Sequence, residues 1–488
     1  MHDVKAAQPD LQAKAKEIML VHGFEPEFPP QVSQQLNDLK NHPPQIAAVN
    51  GVRDLRNLLW SSIDNDTSRD LDQIEVSERL SNGDVKVMIG IADVDVFVPK
   101  STAIDLHAGR ETTTVYAGVR NFPMIPEELS TGITSLLENQ DLLSVVIEFT
   151  VDPAGNLRSS DVYRALVRNK AQLQYNSVGA WLEGKSPAPP RVSASGDLQA
   201  QLKLQDEVAQ KLKNQRYQRG ALSLQTDEIH PIMVDDTVIN VVGQQKNRAT
   251  DLIEDFMVAA NGVVARLLEK VSSIRRIVRT PKRWDRIVQL AASHGEKLPA
   301  QPDSKALNDV LLRRKAADPD HFADLSLAVI KLIGPGEYVL ERPGEAAPGH
   351  FGLAVQDYTH STAPNRRFAD VVTQRLIKAM LASQRNPYSD EELTTIAANC
   401  TEKEDAAKKV EREMSKFLAA VAMQHRIGEV FDAIVTGATD KGTFVRVLEP
   451  HLEGLLVLGQ KGLDVGDRLR AKLVRTDVQK GYIDFARA

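Results

Sequence analysis

The stretch from Ser61 to Val76, SSIDNDTSRDLDQIEV, holds Asp64, Asp66, Asp70 and Asp72. Aspartate favours neither helix nor strand interiors, and like charges repel. On composition alone such a cluster reads as a solvated turn. Three features point elsewhere. Apolar strand-like runs flank the cluster and anchor it near a core. Asp70 and Asp72 are two apart and share a face if the backbone is extended. Asp64 ends the preceding run, where a turn brings it back beside them. Three carboxylates converging in this way repel unless a divalent cation stands between them. Hard oxygen ligands without cysteine suit magnesium or manganese. Magnesium keeps coordination positions for phosphate oxygens, so the chemistry implied is phosphoryl transfer.

Phosphate chemistry also needs a cation to meet charge on the transition-state oxygens. YTHSTAPNRRFADVVTQR, Tyr358 to Arg375, gathers His360, Arg366 and Arg367 around a proline-interrupted turn ahead of a helix. One arginine as a surface ion pair is the plain alternative. An arginine pair at a helix N-terminus opposes the helix dipole, so an anionic partner is expected.

The chain that must position these groups has 488 residues, enough for two to four domains, and is 42% hydrophobic. No apolar run reaches the ~18 residues of a membrane span. The first nineteen residues contain no apolar signal core, which argues against secretion. Cys400 is the single cysteine. That excludes a disulfide framework and a thiolate zinc site, and it fits a reducing cytoplasm. Net charge is -6 and the pI about 6.1, so the whole chain is no basic nucleic-acid binder, although a local basic patch can still hold phosphates.

Asp10 to Phe24 and the run QVSQQLNDLKN predict two short helices. Helix–turn–helix at this size allows a DNA-reading regulator. The second helix carries one lysine and no arginine, so a packing or linker element is preferred. Asn41 to Gln45 reads as a linker. From about residue 50 the pattern is α/β. DQIEVSERL and DVKVMIGIADVDVFV alternate and flank Asn82-Gly83, a hairpin signal. LLSVVIEFTVD is a further strand. Ser186 to Asp197 reads as a surface loop. Helices are expected over Leu198 to Arg216, over Ala249 to Lys270, and around Arg375 and Lys408. Arg266 to Arg286 is basic enough for a phosphate-backbone track, with a solvated helix face as the alternative. From Gly428 onward five short β-like runs, split by glycine-containing turns, have the size of an OB-type barrel. The expected domains are 1–46 (small helical, with the helix-turn-helix option), 47–426 (catalytic, mixed α/β) and 427–488 (five-stranded OB-fold barrel).

Six motifs occur in order: IDNDTSRDLDQ, TTVYAGVRNFPMIPEELS, QRGAL, LIEDFMVAAN, GHFGLAVQDYTHSTAPNRRFADVVTQR and VERE. Together they resemble the RNB catalytic domain of the ribonuclease II/ribonuclease R family, and the tail resembles the S-one-type OB-fold RNA-binding domain that follows it there. The resemblance covers about residues 50–488. It implies processive hydrolysis of single-stranded RNA from the 3′ end, releasing nucleoside 5′-monophosphates with Mg2+, or Mn2+ in its place. Asp64, Asp70 and Asp72 match three of the family's four active-site aspartates. Gln73 stands where the fourth would be and offers a carbonyl oxygen but no charge. Asp66 and Asp93 are spare carboxylates that match no family ligand. Arg366 matches the arginine at the scissile phosphate. Tyr116 and Tyr175 match aromatics along the RNA path, and Glu254 and Glu411 match acidic positions near the terminal nucleotides, with Asp255 a rival to Glu254. Phe444 and His451 sit where barrels of this type place stacking residues. The family's cold-shock domains have no room in the first fifty residues, where the helical segment stands instead.

The leading expectation is therefore a cytoplasmic, monomeric 3′-to-5′ exoribonuclease with no membrane association. A rival from a different class is a catalytically weak RNA-binding or regulatory protein that keeps the fold, and it rests on Gln73.

Overall fold

The computed structural model describes residues 10–44, 51–225, 228–234, 237–244, 246–345, 348–439, 442–450, 452–463 and 466–488. It opens on α1 (Leu11–Val21) and α2 (Pro30–Asn41). Asp10 caps α1 by accepting from the Ala13 amide at 2.9 Å. Both helices pack against the body of the chain through their apolar faces. Leu11, Ala15, Ile18, Met19 and Phe24 bury against Val410, Met414, Phe417 and Leu418. Val32 and Leu36 of α2 join the central core. The apolar faces are used in packing, as the preferred reading expected.

The central sheet is built from β1 (Arg53–Asp54), β2 (Ser61–Asp64), β3 (Gln73–Arg79), β4 (Val85–Ala92), β7 (Asp141–Val151), β8 (Leu157–Arg168) and β9 (Ala171–Gln174). Between β4 and β7 lie α3 (Ala103–Glu111) and the small ribbon β5 (Val115–Tyr116) and β6 (Asn121–Phe122). The strand order is β1-β8-β7-β4-β3-β2-β9. β1–β8 and β2–β9 are parallel, and the remaining pairs are antiparallel. The Asn82-Gly83 hairpin forms as expected, with Gly83 at φ +88°, a conformation glycine adopts without strain. β4 ends at Ala92, short of the alternating pattern that ran on to Val98. There the chain turns into a 3-10 helix, Val94–Val96, and Asp93 is buried between Arg164 and Lys378 at 2.8 Å each. The alternation reported ion-paired burial, not a longer strand. Trp60, Ile63, Ile74, Val87, Ile89, Ile91, Ile147 and Phe149 form the heart of the core.

Helices α4 (Tyr175–Leu182), α5 (Pro190–Ser193), α6 (Gly196–Arg219) and α7 (Arg248–Leu267) follow, with the antiparallel hairpin β10 (Glu228–Val234) and β11 (Thr237–Gln244) before α7. α5 lies in the segment expected to be a loop, because buried Val192 ties it to the core. Phe256 of α7 meets Phe149 of the sheet edge-on, ring centroids 6.4 Å apart. Asn247 and Thr250 form a capping box at the start of α7. A Cβ on Gly179 would collide with Asn247, so this glycine lets α4 rest on the α7 N-terminus. That contact fixes Tyr175 relative to Glu254.

β12 (Ser273–Ile277) pairs with β13 (Glu337–Glu341), and between them α8 (Trp284–Ser293), α9 (Ser304–Ala317) and α10 (Phe322–Ile333) share a separate apolar cluster. Within the basic run 266–286, three arginines are taken up by ion pairs. Arg275 is buried against Glu341, Arg276 pairs with Glu404 and Arg279 with Glu337, each at 2.7 Å. The long helices α11 (Phe368–Leu381) and α12 (Asp390–Met423) lead to a closed barrel of β14 (Val430–Thr439), β15 (Gly442–Val447), β16 (Leu452–Leu458), β17 (Arg468–Asp477) and β18 (Tyr482–Arg487). Its interior joins Ala419, Ala420 and Met423 of α12. The architecture is thus the expected one: a mixed α/β body, a helical start and a five-stranded OB-type barrel. Among the described residues no helix is long and apolar enough to cross a membrane.

Candidate active site

The aspartate cluster is the connection from β2 to β3, at the end of the sheet. Asp64 is the last residue of β2. Ser135 pins the connection, accepting from the Leu71 amide at 2.9 Å and donating to the Arg69 carbonyl at 2.6 Å. The Asp72 carbonyl accepts from the Ala92 amide at 3.0 Å, which sets the start of β3. Asp66 lies exposed on the outer side of the connection.

Arg366 reaches this place from the segment before α11. Thr113 and Arg367 form a bridge, and the Thr114 amide donates to the Arg366 carbonyl at 3.0 Å. The same segment brings Asn365, whose amide donates to Asp72 Oδ1 at 2.8 Å. Arg366 Nε lies 3.4 Å from Asp72 Oδ2. Arg367, the residue before α11, is held by Asp370 at 2.7 Å. The anions expected for the arginine pair are therefore Asp72 and Asp370. His360 is different. Its Nδ1 meets the Tyr338 hydroxyl at 2.7 Å, and burial followed by the charge of Arg367 keeps it well below the usual imidazole range. It is neutral and supplies no cation to phosphate.

Tyr116 donates from its hydroxyl to Asp70 Oδ2 at 3.1 Å, while its amide donates to Glu411 of α12 at 3.3 Å. Tyr116 is 38% exposed, yet desolvation is the main reason its phenol lies above the usual range. The ring is thus accessible at one side and crowded by protein on the others. Arg366, 47% accessible beside 2% exposed Asp72, has the same character. Tyr175 follows Gln174, the β9 partner of Asp64, so the ring emerges next to that carboxylate. Burial raises its phenol too, with Asp64 and Glu75 adding to the effect. The structure brings Asp64, Asp70, Asp72, Tyr116, Tyr175, Arg366 and Glu411 into one neighbourhood.

Glu254 lies on α7, 42% accessible, with Lys246 at 2.6 Å. Burial opposes ionisation there, and Lys246 outweighs it. Asp255 is buried against Arg216 and is raised to about 6 by that burial. Of the two rivals, Glu254 is the more accessible and is held by Lys246, and Asp255 is part of the wall. Phe444 is half-buried on β15 near Gly437 of β14, away from the aspartates. His451 lies outside the described residues.

Burial pushes Asp72 up to about 7, against the pull of Arg366, and it raises Asp64 as well. Among the described residues no three acidic, histidine or cysteine side chains are drawn together tightly enough to enclose an ion. The donor set nevertheless suits a hard divalent cation: carboxylates only, two of them held up by burial with too little positive charge nearby. A buried carboxylate oxygen without a partner, Glu75 Oε1, points the same way. Asp64, Asp70 and Asp72 would hold the ion, and Gln73 is buried beside them at the start of β3. Sequence reasoning missed Glu75, although an acidic residue set between the apolar Ile74 and Val76 is a visible signal. It also missed Asn365 and Ser135, which act through backbone contacts that no motif announces.

Residues 52–383 match the RNB domain, and residues 429–488 match the RNase II-type exonuclease C-terminal S1 domain. Ribonuclease R of Thermotoga maritima is 30% identical over 501 residues, spanning 94% of this chain and 68% of that protein. Ribonuclease R of Escherichia coli is 29% identical over 500 residues, 94% of this chain and 60% of that protein. The chain thus spans about three fifths to two thirds of these relatives. Mycoplasma genitalium RNase R, solved in complex with ribose-methylated single-stranded RNA, superposes with a TM-score of 0.85 at 24% identity, over 98% of this chain and 78% of that one. With the aspartates, Arg366 and Tyr116 gathered on one fold that these domains share, the chain belongs to the RNB-domain family.

Proposed function

We propose that the chain is a processive 3′-to-5′ exoribonuclease that hydrolyses single-stranded RNA to nucleoside 5′-monophosphates. The observation that carries the reading is the pairing of Arg366 with Asp72 beside Asp70 and its partner Tyr116. Relatives named ribonuclease R, one of them solved with single-stranded RNA, support it.

In this reading Arg366 leaves Asp72 for the scissile phosphate and meets the charge that grows on its non-bridging oxygens, a preorganised contact worth on the order of 10²–10³ in rate. Asp64, Asp70 and Asp72 would hold Mg2+ or Mn2+, and the ion would supply Lewis-acid polarisation and a lower pKa for water. Gln73 lends that site no charge. Tyr116 and Tyr175 present ring faces to the last bases without reading their identity, roughly 1–3 kcal/mol per stacked base. Glu411 positions Tyr116 through the backbone. Glu254, once Lys246 turns to a backbone phosphate, accepts from a ribose 2′-hydroxyl and favours RNA over DNA. Phe444 and His451 of the barrel guide longer RNA toward the site.

A 5′-labelled RNA with a single-stranded 3′ tail, incubated with and without Mg2+, tests this. A ladder shortening from the 3′ end, dependent on the metal, and scarce cleavage of DNA of the same sequence are expected. Internal cleavage, or equal rates on DNA, would refute it. Gln73 favours the second reading, an RNA-binding protein without turnover. RNA retained intact at every Mg2+ and Mn2+ concentration would establish that one instead.

A further inference from the structure

We propose that Glu75 is the fourth carboxylate of the cation site, standing in for the charge that Gln73 lacks. The inference rests on the reading of Asp64, Asp70 and Asp72 as metal ligands and extends it to a residue outside the motif.

Glu75 sits in the middle of β3, 1% exposed, between Ile74 and Val76. Its Oε1 is fully buried and has no hydrogen-bond partner. No lysine, arginine or histidine among the described residues forms an ion pair with it. A carboxylate in that state is retained in folds mainly where a cation or ordered water meets it. Its position shows where such a cation would lie. β3 alternates its side chains, so Glu75 shares a face with Gln73, two residues earlier. Across the ladder Glu75 pairs with Ser61, three residues before Asp64 on β2. On the other side of β2, Asp64 pairs with Gln174, and Tyr175 follows. The Tyr175 phenol responds to both Asp64 and Glu75, and the charge that acts on Glu75 is Asp64. Asp64, Glu75 and the Tyr175 phenol thus lie within electrostatic reach of one another. Ser61 Oγ and Ser77 Oγ, the ladder and same-face neighbours of Glu75, are also buried without partners. This stripe is polar, whereas the intervening buried residues Ile74 and Val76 are apolar. A glutamate carries one more methylene than an aspartate, and this length suits a residue set deeper along the strand than the motif position.

The test uses the full chain and Mn2+ alone, with affinity read by electron paramagnetic resonance at fixed pH and folding checked by thermal melting. Glu75→Gln keeps the shape and removes the charge, and it should weaken Mn2+ binding about tenfold or more, the scale of losing a charged ligand or its supporting partner. Gln73→Asp should tighten it. The double variant Gln73→Asp/Glu75→Gln should return toward the parent. If the amide variant does not fold, Glu75→Asp gives the same readout: it keeps the charge and shortens the arm, and weakening is expected. Mn2+ affinity unchanged by Glu75→Gln, or by Glu75→Asp where that is the folded variant, overturns the proposal. A parent that binds no Mn2+ overturns it outright. RNA shortening is scored separately on the parent. Tight Mn2+ binding that depends on Glu75, in a protein that leaves RNA intact, supports the site and refutes only the exonuclease reading. RNA shortening with Mn2+ affinity indifferent to Glu75 does the reverse.

Discussion

Asp72→Asn should make the protein more stable in the presence of a chelator while removing its turnover. The carboxyl is 2% exposed, and burial shifts it from 3.8 to about 7. Between those values the folded protein keeps a proton at Asp72 that the unfolded chain has released. Stability therefore falls as pH rises through that window, and it is level below the unfolded value and above the folded one. A displacement of that size corresponds to roughly 4 kcal/mol at pH 8. Asparagine avoids this penalty. It still accepts from the Asn365 amide, which lies 2.8 Å from Oδ1. It loses the 3.4 Å contact with Arg366, whose side chain is half exposed, a loss of about 0–1 kcal/mol. The net gain expected at pH 8 is thus about 3 kcal/mol, and it should vanish near pH 4.

Denaturant unfolding of parent and variant in EDTA, at intervals from pH 4 to pH 8, reads this directly. The difference should open as pH rises and then level off. Added Mg2+ or Mn2+ should stabilise the parent more than the variant, since it answers a charge the variant lacks. A variant less stable than the parent at pH 8 in EDTA, or a difference independent of pH, would show that Asp72 is held ionised by Arg366 and that burial is not the dominant influence.

Other consequences are more direct. Arg366→Ala should lower the single-turnover rate on a bound short RNA by about 10²–10³ while leaving its dissociation constant nearly unchanged, and a parallel loss of affinity would mean that Arg366 grips RNA rather than serving the reacting phosphate. Tyr116→Phe removes the 3.1 Å bond to Asp70 and keeps the ring, so it should reduce kcat with little change in KM, whereas Tyr116→Ala should also weaken binding by roughly 1–3 kcal/mol. Phe444→Ala should raise KM for long RNA and spare short oligomers. It is a cleaner probe than deleting Gly428 to Ala488, because the barrel interior includes Ala419, Ala420 and Met423 of α12 and the truncation would expose them.

What the sequence made legible follows from how local each signal is. The strand ending at Asp64, the Asn82-Gly83 hairpin and the barrel after Gly428 depend on neighbours within a few residues, and the structure has all three. Partnerships across the chain were legible only where a charge demanded an answer, as with the arginine pair. Even there, nothing local named Asp72, 293 positions from the Asn365 amide that it accepts from. In the basic run, residue type does not say what packs above a strand: Arg275, Arg276 and Arg279 each face a glutamate supplied by β13 or α12. His360 misled for that reason, its imidazole being neutral once Tyr338 and burial are added. The same reasoning applies within the aspartate motif. Compared position by position, Gln73 is a charge missing from the site. Burial is not a property of a position, and the fold that hides Gln73 also hides an unpartnered Glu75 two residues further along the same strand face. A motif comparison registers the first and passes over the second, because only the packing over β3 makes an acidic residue there costly to keep without a cation to meet it.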